Sequence, residues 1–224
     1  MLIILNKTLQ HSPMEFILNF TIIYGVIPFL LFYVLKINNE LLNQIYPFLL
    51  VVFVASIYEL IGTVFLGISY ENWYLIYKSL AFIGIHYYFY HLLNKDYKFL
   101  FIFYGIVFIF LLFLAFTLWN GLIVLDINAY FNFYQTLVVL TFSMLWFRRM
   151  FINLEEENLA KTPNFYFISG LIIYYCGTAF LFLMSSSLYA QDKSSFQYYW
   201  LLNILLNLVL RSSLIIGVWK ARVK

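Results

Sequence analysis

Charge is what this chain has least of: only 10% of its 224 residues are Asp, Glu, Lys or Arg. It has a single cysteine, Cys176, which excludes an internal disulfide and any multi-thiolate metal cage. The four prolines and nine glycines nowhere gather into a linker, so no domain boundary is marked. Nor is there a P-loop, a dinucleotide fingerprint, an H-E-x-x-H helix or a G-x-S-x-G elbow. The serines of "LMSSSLY" (Ser185, Ser186, Ser187) therefore read as a helix end and not as a nucleophile. The opening "MLIILNKTLQHSPM" has no basic start, no long apolar core and no small-residue cleavage site, so no removable leader is expected.

What is present is apolar. Hydrophobic residues make up 64% of the chain and aromatics 23%, more than a water-soluble domain of this length could bury. The blocks fall at 14–35, 47–69, 73–93, 98–119, 129–147, 165–189 and 199–219, each near the roughly 20 residues that an α-helix needs to cross hydrocarbon. The runs are continuous and lack the two-residue alternation of barrel strands, so helices are expected. The predicted fold is all-α: one seven-helix transmembrane bundle over residues 1–224, multi-pass in the plasma (inner) membrane, with the lipid bilayer as its first partner.

Orientation follows from the basic residues. With the N-terminus outside, the cytoplasmic side receives Lys36, Lys95, Lys98, Arg148, Arg149, Lys161, Lys220, Arg222 and Lys224, and the outer side only Lys7 and Lys193. That asymmetry predicts N-outside, C-inside. Because these charges sit at helix ends and form no continuous stripe, the net charge of +3 points to topology and not to nucleic acid. Tyr70, Trp73, Tyr74 and Trp119 would anchor one boundary, and Trp146 and Trp219 the other. The longest inner connection sets Glu155, Glu156 and Glu157 behind Arg148 and Arg149. It reads as a short solvated helix and as the best surface for a protein partner.

The polar residues within the spans carry more information. At about 1.5 Å per residue, Arg211 lies about 12 Å from the inner end of its span and His86 about 10 Å. Asn207, Glu59 and Lys78 fall deeper, at about 18, 19 and 22 Å. Glu59 and Lys78 share a depth on consecutive helices, so an ion pair between them is expected. Arg211 can reach up to Glu59 or run down to the headgroups. Asn203, Asn207 and Arg211 recur every fourth residue and form one stripe, which should face the bundle interior. As structure, that stripe is interhelical glue; as function, it is a polar cavity with room for a small ligand or a change of protonation. His86 and His91 are five residues apart, about 140° round a helix, so no metal is expected, nor any other cofactor.

The run "LEEENLAKTPNFYFISGLIIYYCGTAFLFLMSSSL", followed by "YYWLLNILLNLVLRSSLIIGVWKAR", resembles the membrane-sensor region found ahead of histidine kinases, and as stand-alone small membrane proteins, in Bacteroidota. The resemblance covers residues 150–222 and the earlier spans only by layout. Asn158, Pro163, Phe165, Gly170, Tyr174, Trp200, Asn203, Asn207, Trp219 and Lys220 carry it. Tyr166 departs from it, standing where a tryptophan is expected, and no kinase module is expected after Lys224. The resemblance implies a non-enzymatic sensor or receptor-like module whose partner is a separate cytoplasmic histidine kinase or response regulator.

The competing expectation is a small transporter or channel subunit with a polar intramembrane site. Such proteins repeat internally and break matched helices, and the Gly25, Pro28 and Gly62 interruptions have no counterpart in spans five and six. A retinal receptor is set aside, because the deep basic residue of the last span is Arg211, which cannot form a Schiff base. The residues singled out as a ligand or coupling core are Glu59, Lys78, His86, Asn203, Asn207 and Arg211, none of them catalytic.

Overall fold

The computed structural model describes residues 13–35, 40–66, 68, 70–93, 96–117, 124–153, 159–191 and 193–222. Within them the chain is helical, with no strand. Helix α1 (Pro13–Tyr24) is followed after a two-residue break by α2 (Ile27–Val34). Helix α3 (Glu40–Ile57) runs on as a π-helical segment, Tyr58–Phe65. Then come α4 (Tyr70–Leu92), α5 (Lys98–Thr117), α6 (Val124–Asn153), a 3₁₀ turn (Leu159–Lys161), α7 (Pro163–Leu183), the short α8 (Ser185–Gln191) and α9 (Lys193–Ala221).

Five of the helical stretches among the described residues are long and apolar enough to cross a bilayer: Phe16–Val34, Asn43–Gly62, Lys98–Thr117, Pro163–Leu183 and Tyr198–Ala221. The other two long helices, α4 and α6, are more polar, and much of that polarity points inward: Lys78, Asn132 and Gln135 are all buried. Helix α5 shows the opposite character. Its Phe99, Ile102, Phe103, Ile106, Ile109, Phe110, Phe113 and Phe116 are all exposed, an apolar stripe that water would not tolerate and acyl chains would.

Two helix ends are easily explained. Pro28 sits in the first turn of α2 and has no N–H, so the Tyr24 carbonyl cannot receive its usual i+4 bond and the rod breaks at Gly25–Val26. Pro163 likewise occupies the first turn of α7, where a missing N–H costs nothing.

Helix α9 lies along α7, α7 along α6, and α3 along α4; α9 also meets α1, α2 and α3, while α5 sits at the edge against α4 and α6. Missing side chains permit the closest approaches. A Cβ at Gly217 would come within 2.3 Å of the Phe167 ring, and one at Gly84 within 3.0 Å of the Phe48 backbone. Gly170, which the sequence suggested for close packing, fits that reading: a Cβ there would meet Ser213 Cβ at 2.6 Å.

Several expectations shift. Trp146 is no boundary anchor: it is 3% exposed and packs in the core with Phe142 and Met150, on the face of α6 that turns inward. Trp219 is half exposed, with the Arg222 guanidinium 4.5 Å from its ring centroid. The segment expected at 165–189 divides at Met184, where α7 ends and Ser185 donates to the Phe182 carbonyl at 2.7 Å. Glu155, Glu156 and Glu157 lie outside the described residues.

Candidate functional site

Arg211 is 5% exposed. Its Nη1 donates to the backbone carbonyl of Thr21 on α1, one turn before that helix breaks. The guanidinium fits there because residue 25 has no side chain: a Cβ on Gly25 would stand 2.2 Å from Ser56 Oγ and 2.6 Å from Arg211 Cζ. Ser56 Oγ also donates to the Val52 carbonyl of its own helix at 2.9 Å. A second tie between α1 and α9 joins the hydroxyls of Tyr24 and Ser212 at 3.3 Å.

Glu59 lies in the first turn of the π segment and interacts electrostatically with Arg211. Tyr77 on α4 and Tyr174 on α7 lie in the same field, each coupled to both charges. Five helical elements therefore contribute to one charged neighbourhood around Arg211: α1, the π segment, α4, α7 and α9. A π turn admits one extra residue per hydrogen-bonded ring and is found mostly at functional sites. Here Leu66 N–H reaches the Ile61 carbonyl five residues back at 3.0 Å.

Lys78 belongs elsewhere. It is 2% exposed, donates to Asn132 Oδ1 at 3.0 Å and lies 5.1 Å from the Phe182 ring centroid. Asn132 Nδ2 passes a bond to Thr178 Oγ1 at 3.2 Å, Gln135 Nε2 donates to the Lys78 carbonyl at 2.9 Å, and Thr136 Oγ1 bonds the Asn132 carbonyl at 2.8 Å. This network ties α4 to α6 and α7. The expected Glu59–Lys78 ion pair does not occur among the described residues: Glu59 lies in the field of Arg211, and Lys78 donates to Asn132. Neighbouring residues point about 100° apart on a helix, so Tyr77 faces the arginine and Lys78 faces α6.

His86 does not join the charged groups. It packs among the rings of Phe82, Phe101 and Phe142, with centroids at 5.1, 5.0 and 5.9 Å. Nine residues beyond Tyr77, it falls on the opposite side of α4, at about 180°. Of the predicted stripe on α9, Arg211 is fully inside, whereas Asn203 and Asn207 are half-buried at its margin. The Oδ1 of Asn203 is buried without a hydrogen-bond partner among the described residues. No group of three or more metal-ligating side chains occurs among the described residues.

Sequence reading missed Thr21, Tyr77, Asn132, Gln135 and Thr178, and named Tyr174 only among the residues that carry the resemblance. A usable signal existed for α6: Asn128, Asn132 and Gln135 recur at i, i+4 and i+7, the same one-face pattern that marked α9. Tyr77 gave none, being one of 20 tyrosines in the chain. The chain matches no family model, no curated protein and no solved structure.

Proposed function

We infer that the chain is a seven-span, N-outside, C-inside membrane protein that works as a non-enzymatic sensor or receptor-like module, coupling an event in the membrane or at its outer face to a cytoplasmic signalling partner. The observation that carries this reading is the convergence on Arg211. The last helix, which leads into the basic tail, is tied through this residue to the break in the first helix and to the Glu59 charge on the second rod. Any event that alters Glu59, or closes the break, changes how α9 is held. Arg148 and Arg149, at the same end of the bundle as the tail, give a partner protein a basic face. Seven spans are counted by adding α4 and α6 to the five most apolar helices, since their polarity is turned inward. Affinity purification of the tagged chain from native membranes should recover a histidine kinase or response regulator; its complete absence from a folded preparation would overturn the reading. A fluorescent protein fused after Lys224 should report a cytoplasmic C-terminus.

A second reading, a small transporter or channel subunit, is favoured by one observation. The broken first helix and the π segment both meet the buried charges, and transporters use interrupted helices for their sites. Against it, α6 and α7 run unbroken through the bundle. Proteoliposome uptake that depends on Glu59 or Arg211 would reverse the order of the two readings.

A further inference from the structure

Among the described residues the Glu59 carboxylate makes no ion pair, and the side-chain oxygens of Glu59, Tyr77 and Tyr174 make no hydrogen bond. Buried polar groups are as a rule hydrogen-bonded, and one that is not points to a water or a ligand. Nor are these oxygens sealed off. The unpartnered atoms enclosed on every side belong to other residues, Asn128, Gln135 and Ser143 among them, so those of Glu59, Tyr77 and Tyr174 open onto a space.

Packing brings the three groups to one level. Tyr58 stacks on Trp73 with ring centroids 4.3 Å apart, which sets the π segment against α4. Glu59 follows Tyr58, and Tyr77 lies one turn beyond Trp73 on the same face. Ser56, three residues before Glu59, and Arg211 both crowd the place where a Gly25 side chain would stand. On α7, Gly170 approaches Leu210 and Ser213 of α9, and Gly177 approaches Leu206. Tyr174, between those glycines, therefore stands at the level of Arg211.

The lining limits what fits. Glu59 and Arg211 carry opposite charges, so an occupant with a net charge would leave one charge uncompensated in hydrocarbon. A carboxylate only accepts, whereas a phenol hydroxyl both donates and accepts, so the occupant needs O–H groups. Ile61 and Ile76 stand exposed beside Glu59 and Tyr77, so the approach is apolar and leads from the bilayer.

We propose that Glu59, Tyr77 and Tyr174 form a binding site for an uncharged, hydroxyl-bearing molecule dissolved in the bilayer, which donates to the carboxylate and accepts from the two phenols. Because Glu59 also lies in the field of Arg211, occupancy bears on the helix that leads to the basic tail. The site rests on the reading of the chain as a bundle across the membrane and gives that reading a stimulus of stated chemistry. It needs no signalling partner, so binding and the recovery of a kinase can fail separately.

The test is thermal unfolding of the full chain in lauryldimethylamine oxide, a detergent without hydroxyl groups. Hexylresorcinol is the probe, and its dimethyl ether, of the same shape but without O–H donors, is the control. A ligand that binds only the folded chain raises its melting temperature with concentration. Hexylresorcinol should raise it saturably, and the ether should not. Y77F and Y174F each remove one hydroxyl that bonds nothing among the described residues, so they should fold like the wild type and bind the probe about fivefold more weakly. E59Q should bind it more weakly still. Equal responses to the probe and its ether, or undiminished binding in both tyrosine variants, would overturn the site. A saturable response to glycerol that Y77F abolishes would assign the site to a water-borne polyol and overturn the bilayer source. No response to any probe would leave the space to water alone and overturn the proposal as well.

Discussion

The guanidinium of Arg211 on α9 donates to the carbonyl of Thr21 on α1, across 190 residues of sequence and at the turn where α1 loses its regular bonding. A permanently charged group inside hydrocarbon is tolerated when it meets carbonyls and an opposite charge, and both are supplied here by elements distant in the chain.

If Glu59 and Arg211 form the functional pair, their substitutions will not add. R211M alone leaves a buried carboxylate, and E59Q alone leaves a buried guanidinium; each should cost about 3 kcal/mol. The double variant should recover about 0.5–3 kcal/mol of the summed loss. Unfolding in detergent, followed by circular dichroism across the four-member cycle, measures the coupling. Strict additivity would show that the charges do not feel each other.

The missing side chain at residue 25 makes the guanidinium's seat. G25A places a methyl 2.6 Å from Arg211 Cζ and 2.2 Å from Ser56 Oγ, so the arginine must leave the Thr21 carbonyl, at a cost of about 1–3 kcal/mol. Gly105 is the control. Nothing lies within 4 Å of a Cβ built there, so G105A should be neutral or raise stability by up to about 1 kcal/mol. Melting temperatures of the two variants in one detergent give the comparison.

Lys78 and Glu59 answer to different partners, which predicts independence. K78M removes the donor to Asn132 and should cost about 1–3 kcal/mol. Combined with E59Q, its effect should add to within about 0.5 kcal/mol, whereas a direct ion pair would make the double variant much milder than the sum. N132A should be at least as damaging as K78M, because Asn132 also holds Thr178.

At His86 a phenyl ring should be accepted. The residue is surrounded by Phe82, Phe101 and Phe142, and its Nδ1 is buried without a hydrogen-bond partner among the described residues, so H86F removes an unsatisfied polar atom and keeps the ring packing, a change of about 1 kcal/mol or less. Near-wild-type unfolding, and no change on treatment with a chelator, would support a packing role. A loss as large as that of R211M would return His86 to the polar core.

The all-helical fold was legible because hydrophobic runs of bilayer length admit few other solutions. The inward face of α9 was legible as well, since residues four apart share a face whatever surrounds the helix. Arg211 was therefore found from sequence. Asn203 and Asn207 lie only at its margin, because each four-residue step drifts by about 40° and carries them away from the face that α7 covers. His86 illustrates the same limit: depth along a helix was computable, but azimuth relative to neighbours was not.

By itself, then, the sequence determined the helices, their approximate lengths and the presence of a few charges that had to be buried. Only the tertiary structure decided which groups those charges meet. Helical periodicity relates residues within one rod, whereas the Arg211–Thr21 contact and the Lys78–Asn132 bond depend on how rods are rotated against each other. That rotation is set by packing at Gly25, Gly84 and Gly217, by the break at Pro28 and by the extra residue of the π turn. These effects act between segments far apart in the chain, where no local pattern records them.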